Sequence, residues 1–270
     1  MNLLAPDMTS FPDAVDPLPD MERRFGGLAR LYGAVGAARI RQSHIVVVGL
    51  GGVGSWAAEA AARCGVAQMT LIDLDHIAES NINRQVHALD TTLGQAKVVA
   101  MRERILHINP LCKVNTIEEF VDADNWPHIA GLDGVADTAP IGIIDACDQG
   151  PAKAAMAMWA IRTQALFISV GAAGGKRLAH KVDIDDLSAV THDPLLAQMR
   201  NRIRKATGVQ SGRKMGVACV FSREAVLQPS ATLATDSSLN CHGYGSTVTV
   251  TSTFGVCATG WLISNIAESS

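Results

Sequence analysis

Arg84, Lys97 and Asp148 are the side chains from which a reaction can be built. Arg84 stands in LDHIAESNINRQ with Asp75, Asn81, Asn83 and Gln85. Its forked guanidinium matches phosphate oxygens, and the loop around it is dense in hydrogen-bonding groups. Lys97 falls near the start of a stretch with apolar residues at helical spacing, GQAKVVAMRERILH. A cation there is unfavourable unless an anion is bound close by. Asp148, with Asp145, closes the run IIDACDQ. A carboxylate at the end of a buried strand suits Mg²⁺ held against phosphates. Each residue also has a plainer reading: a solvated loop, a surface lysine, and a cap for the helix that Pro151 would open.

The elements that must position these residues are legible. HIVVVGLGGVG, residues 44–54, is a buried β-branched run entering a glycine turn. SWAAEAAARCG then predicts a helix with Ser55 in its first turn and Gly65 beyond its end. Met69 to Ile72 predicts a second buried strand ending at Asp73. Gly49, Gly51 and Gly54 spell G-x-G-x-x-G, Gly52 lies among them, and Asp73 sits where a ribose-binding acid would sit. This pattern alone also fits a dinucleotide enzyme, or close helix–strand packing with no ligand. Further strands are predicted at Lys113–Ile117, Ile141–Ile144, Leu166–Val170 and Val217–Phe221, with a short helix near Trp126. Strands ending in ligand-type loops predict a Rossmann-like α/β fold, a mostly parallel sheet flanked by helices.

Three segments follow from composition. Residues 1–20 hold four aspartates, four prolines and no Lys or Arg, and read as a disordered tail rather than a signal peptide. Residues 21–175 read as a nucleotide-binding domain, and 176–270 as a less regular α/β extension. In the extension a helix around 188–206 carries Arg200, Arg202, Arg204 and Lys205, with Arg213 and Lys214 beyond and no acid between Arg200 and Lys214. In a chain of net charge −3 this is a candidate site for an anionic polymer, or else a solvated face. The apolar end, TVTVTSTFGVCATGWLIS, reads as a strand plus a packed helix rather than a membrane span, with peripheral membrane association as the alternative. Six scattered cysteines without a C-x-x-C pair give no structural zinc site and fit a reducing, cytoplasmic setting. Cys241, beside His242, is the one with a neighbour that could lower its pKa.

GLGGVGS, LIDLD, SNINRQ, GQAK and DACD, in this order and spacing, resemble the ubiquitin-activating-like adenylating superfamily, which includes the ThiF and MoeB proteins. The resemblance covers roughly residues 22–172. It implies that Gly52 and its neighbours back an ATP, that Asp73 binds the ribose, that Asn81, Arg84 and Lys97 hold the triphosphate, and that Asp148 coordinates Mg²⁺. Asp75, Asn83 and Gln85 fall in the same nucleotide site. It also implies a homodimer in which an arginine of one subunit, Arg24 or Arg30, completes the partner's site. RFGG departs from the usual R-x-x-R, and Ala146-Cys147-Asp148-Gln149 departs from C-T-D-N. Paired zinc cysteines are missing, and there is no room for a catalytic-cysteine domain. RFGGLARLYG, NCHGYGS and the length look like the tRNA threonylcarbamoyladenosine dehydratase branch. That branch implies ATP-dependent activation of a modified adenosine's carboxylate beside the anticodon. Ring closure then follows by attack of the carbamoyl oxygen of the same side chain on the activated carboxylate, giving an oxazolone with net loss of water. The tRNA substrate would dock on the basic segment. The resemblance also implies a cysteine desulfurase or sulfur-acceptor partner. The rival within the superfamily activates a sulfur-carrier or ubiquitin-like protein with a diglycine tail, and Cys241 would then serve as acceptor. The rival outside it is an NAD-dependent oxidoreductase.

Overall fold

The computed structural model describes residues 19–133, 141–227 and 244–269. Its helices and strands are, in chain order, α1 (Met21–Phe25), α2 (Gly27–Gln42), β1 (His44–Val48), α3 (Gly54–Arg63), β2 (Gln68–Ile72), α4 (Lys97–Ile108), β3 (Lys113–Ile117), β4 (Ile141–Asp145), α5 (Gly150–Thr163), β5 (Leu166–Val170), β6 (Val182–Asp186), α6 (Pro194–Thr207), β7 (Ala218–Ser222) and α7 (Val248–Glu268). The strands form one sheet in the order β3-β2-β1-β4-β5-β7-β6. All neighbours are parallel except β6, which runs antiparallel to β7 at the edge.

Strand alternation divides the core into two layers. Ile45, Val47, Leu71, Ile144, Ile168 and Val220 face α3, α4 and α7. Val46, Val48, Ile143, Phe167, Cys219 and Phe221 face α5 and α6. The central strands are buried on both faces, which is why their sequences read as unbroken apolar runs. The segment after residue 175 adds β6 and β7 to the same sheet and supplies α6 and α7 to both layers.

Most sequence-predicted elements are present, with three differences. The expected C-terminal strand plus helix is a single helix of 21 residues. Its threonines and valines favour a strand locally, but its small residues allow close docking. A Cβ on Gly255 would lie 2.4 Å from the Val53 carbonyl oxygen, and Thr259 donates to the Ala57 carbonyl at 2.9 Å. Tertiary packing overrides propensity here. On β4, Gly142 leaves the space that Leu262 of α7 fills. Secondly, α6 starts at Pro194 rather than near 188, because the Asp193 carboxylate caps it by accepting from the Leu196 amide at 2.9 Å. Thirdly, the helix expected near Trp126 is a single 3-10 turn, His128–Ala130, with Trp126 packed edge-on against Trp159. Among the described residues no helix is long and apolar enough to cross a membrane. Residues 1–18, and with them most of the expected tail, lie outside the described residues, as do Cys241 and His242.

Candidate active site

The sheet reverses its winding between β1 and β4, and ligands of open α/β sheets bind outside the carboxyl ends of the strands at that point. A cleft of about 710 Å³ opens there. The loops after β1, β2, β3, β4 and β5 line it, together with α6 and the segment before α7.

The glycines of the first turn have separate duties. A Cβ at Gly54 would lie 1.7 Å from the Gly49 carbonyl oxygen, and one at Gly49 would lie 2.9 Å from the Ala146 backbone. Gly49 also has φ +86°, a left-handed conformation that favours glycine. These two glycines let β1, α3 and the end of β4 approach. Gly52 is needed by Arg84, whose Cγ lies 3.1 Å from where a Cβ would be. Gly51 is different: a Cβ there meets nothing within 4 Å, and the residue lines the cleft. Neither packing nor a left-handed φ demands a glycine at 51, and the cleft beside its backbone is open.

The Asp73 carboxylate closes this turn from β2. It accepts from the Leu50 amide at 2.5 Å and the Asp75 amide at 2.9 Å. Burial pushes its pKa up, against the opposing pull of Lys97 and the two amides. Each oxygen keeps a second lone pair. Residues 76–78 then pair with 94–96, through Ile77 N to Gln95 O and Gly94 N to Ile77 O, each 2.9 Å. That pairing brings the start of α4 back to β2. The Lys97 ammonium is buried, 2.6 Å from the Asp75 carboxylate and 3.7 Å from that of Asp73. Lys97 is therefore no surface lysine.

Between these segments the polar loop is held on several sides. The Asn81 side chain accepts from the Ala78 amide at 3.0 Å. The Arg84 guanidinium donates to the Ser80 carbonyl at 2.6 Å and to Asn83 Oδ1 at 3.0 Å, and the Trp56 indole donates to the Arg84 carbonyl at 2.9 Å. Asn81, Arg84 and Gln85 line the cleft. Gln85 is buried, and its Oε1 has no hydrogen-bond partner within the protein. Asn83 does not line the cleft and instead donates to the Ser246 carbonyl at 3.2 Å. Behind the loop His87 is buried with both ring nitrogens unpartnered. Burial, with Lys97 and Arg104 nearby, pushes its pKa down to about 3.

Across the cleft Asp145 and Asp148 separate. Asp148 is exposed and lines the cleft. Asp145, which the sequence places beside it on the ligand side, turns into the core and pairs with Lys153 of α5 at 2.9 Å, both side chains fully buried. Ser169 donates to the same carboxylate at 2.6 Å and the Cys147 thiol at 3.2 Å. Among the described residues no three His, Cys, Asp or Glu side chains converge as a metal site. A Mg²⁺ here would thus rest on Asp148 and phosphate oxygens. This donor set fits that ion, which keeps its waters and takes few protein ligands.

The remaining predicted residues stand apart from the cleft. Arg24 donates to the Ile108 carbonyl at 2.8 Å, Arg30 is exposed on α2, and neither lines the cleft. Arg200 is committed inward, donating to the Leu187 and Val190 carbonyls at 3.1 and 2.8 Å. Arg204 is half-buried, whereas Arg202, Lys205, Arg213 and Lys214 are exposed. Arg202 Nε lies 3.9 Å from where a Gly150 Cβ would be, so the basic face reaches the start of α5. Sequence reasoning missed Phe120, Gly171 to Gly174, Gln198 and Tyr244 in the cleft wall. The signal for the first two was present, since each follows the end of a parallel strand.

A doubly wound α/β sheet with a glycine turn, a buried lysine and an exposed aspartate beyond β4 at its switch point defines a nucleotide-activating class. The ThiF family model matches residues 25–264. The chain is 39% identical to a tRNA threonylcarbamoyladenosine dehydratase of Haemophilus influenzae over 93% of this chain and 96% of that protein. It is 41% identical to the one of Escherichia coli over 87% and 90%. It superposes on the crystal structure of E. coli tRNA N6-threonylcarbamoyladenosine dehydratase, TcdA, in complex with ATP, with TM-score 0.80 and 39% identity, covering 91% of this chain and 94% of that one. The complex of the same protein with AMP matches equally well. The chain belongs to the tRNA threonylcarbamoyladenosine dehydratases of the ThiF family.

Proposed function

We infer that this chain carries out the ATP-dependent cyclisation of N6-threonylcarbamoyladenosine in tRNA. The observation that carries the reading is the nucleotide half of the cleft: an open Gly51, with Lys97 and Arg84 fixed around it. A carboxylate is a poor electrophile because it has no leaving group. Attack of the threonyl carboxylate on the α-phosphate of ATP expels pyrophosphate and makes AMP that group. The carbamoyl group of the same side chain then attacks the acyl carbon, AMP departs with the carboxylate oxygen, and the net loss is one water. The nucleophile is tethered, so proximity replaces an enzyme thiol. The described thiols agree with this: burial pushes Cys64, Cys112, Cys147, Cys219 and Cys257 up, away from thiolate.

In this reading Asp73 receives the ribose hydroxyls on its remaining lone pairs, and Asn81, Arg84 and Lys97 hold the phosphates. Asp148 would hold Mg²⁺, which would supply charge neutralisation. tRNA enters along α6. That helix forms the cleft wall at Pro194, Leu195 and Gln198, and then carries Arg202 and Lys205 outward. Arg24 or Arg30, both exposed and off their own cleft, reaches a second subunit's cleft in a two-fold homodimer. Purified protein, ATP, Mg²⁺ and hypomodified tRNA should yield AMP, pyrophosphate and the cyclised nucleoside by mass spectrometry. Stoichiometric ADP in place of AMP would rule out the adenylate.

A further inference from the structure

In the sequence Lys153 is one lysine in a helical run, PAKAAMAMWAIR, and the reaction above assigns it nothing. Its placement is costly in two ways. The ammonium is completely buried, and it lies in the first turn of α5, where the helix dipole disfavours a cation. Asp145 offsets the charge at 2.9 Å. Its other partners are backbone: the Val170 carbonyl at 2.8 Å, the Cys147 carbonyl at 3.1 Å and the Asp145 carbonyl at 3.4 Å.

Those carbonyls lie at the carboxyl ends of the adjacent parallel strands β4 and β5, where the two loops that line the cleft begin. The Cys147 carbonyl is part of the peptide that continues into Asp148. Val170 ends β5 and is followed by Gly171 to Gly174, which line the cleft. Fixing the 147–148 peptide plane fixes the direction in which the exposed Asp148 side chain leaves the backbone. The loops of the nucleotide half are held by side chains of their own, through the Asp73 carboxylate and the Asn81 amide. On the Asp148 side the tie comes from beneath the backbone, and Ser169 and Cys147 anchor it in turn by holding the Asp145 carboxylate.

We propose that Lys153 is a positioning residue: from inside the core its ammonium holds the peptide that carries Asp148 in register with the cleft wall that follows β5. The consequence for metal rests on the reading of Asp148 as the carboxylate that meets Mg²⁺. Groups that orient a ligand from behind typically change metal affinity by about 10- to 100-fold.

Lys153→Met alone would strand a buried Asp145 charge and endanger the fold. The Lys153→Met, Asp145→Asn double variant keeps the core neutral and is the one to use, with folding verified by circular dichroism. Two readouts are taken on the full chain: amide hydrogen exchange by mass spectrometry, and ATP binding by calorimetry across a Mg²⁺ titration. Exchange should rise in the 146–149 and 171–174 segments and stay unchanged in 49–54. The Mg²⁺ concentration for half-maximal ATP affinity should rise by about 10- to 100-fold. The double change should add little in an Asp148→Ala background, because both act through one carboxylate. Unchanged exchange in both loops would overturn the proposal, and so would an unmoved Mg²⁺ requirement in a protein where Asp148→Ala does move it. If Asp148→Ala leaves the Mg²⁺ requirement unmoved, the metal reading of Asp148 falls by itself. The exchange data then decide for or against Lys153.

Discussion

The two sides of the cleft are built on different plans. On the side of β1 and β2 the charged groups are held by others: Asp73 by two amides, Lys97 by two carboxylates, Arg84 by a carbonyl and Asn83. On the side of β4 and α6 the chemistry-bearing groups, Asp148, Gln198 and Arg202, are exposed, and what is buried beneath them is the support. The first side suits a ligand that is the same in every turnover, a nucleotide, whose binding gains from pre-set donors. The second suits a large substrate whose anion and base must find their places. Stability and function are therefore entangled on the first side and separable on the second.

The largest effect should come from one charged residue on each side. Lys97→Met and Asp148→Ala should each lower kcat/KM by about 10²- to 10³-fold, the scale of losing one group that stabilises transition-state charge. Lys97→Met leaves Asp73 and Asp75 without their cation and should also lower Tm, while Asp148→Ala should leave Tm unchanged. Equal Tm losses in the two variants, by calorimetry, would erase the distinction.

Next comes acid. His87 has a folded pKa of about 3, below the unfolded value near 6.5. The unfolded chain therefore binds the proton first, and native stability falls as pH drops through that window, by up to about 1.4 kcal/mol per pH unit. The total from this group is on the order of a few kcal/mol. His87→Leu should flatten that slope in urea titrations, and an unchanged slope would show that His87 charges without opening the loop.

The glycines of the turn sharpen the comparison within one loop. Gly54→Ala should cost about 1–3 kcal/mol in denaturant midpoint, because its Cβ would enter the Gly49 carbonyl. Gly51→Ala should leave the midpoint within about 0.5 kcal/mol and weaken ATP binding instead. ATP binding that survives Gly51→Ala would place the nucleotide elsewhere in the cleft. The smallest effect is expected from Arg202→Ala with Lys205→Ala. For every tRNA phosphate that is no longer neutralised, the slope of log K against log salt should fall by about 0.7–0.9, with KM for ATP unmoved. An unaltered slope would make α6 a solvated face.

Much of this arrangement could be read from residue order, because buried strands announce themselves as short apolar runs and the loops after them are the ligand side. Lys113–Ile117 and Leu166–Val170 have the bounds that the sequence suggests. The sequence does not reveal which way a residue at a strand end turns. Asp145 continues the pleat of Ile143 toward α5 and finds Lys153, while Asp148, beyond the strand, stays at the surface. Nor do letters alone separate Gly51, which packing leaves free, from Gly54, which packing requires. α7 misleads for a related reason: its threonines and glycines are there for a neighbouring helix distant in sequence.

That helix also sets an order of events during synthesis. The five parallel strands from β3 to β5 are complete once Val170 has been added, yet the face of β1, β4 and β5 that α7 covers has no lid until Val248–Glu268 is made. That lid is translated roughly eighty residues later, a wait of several seconds at the usual 5–20 residues per second. Throughout the wait Gly142 is an empty socket on a growing chain, filled only when Leu262 leaves the ribosome. The covering of this face therefore forms only after α7 has been made.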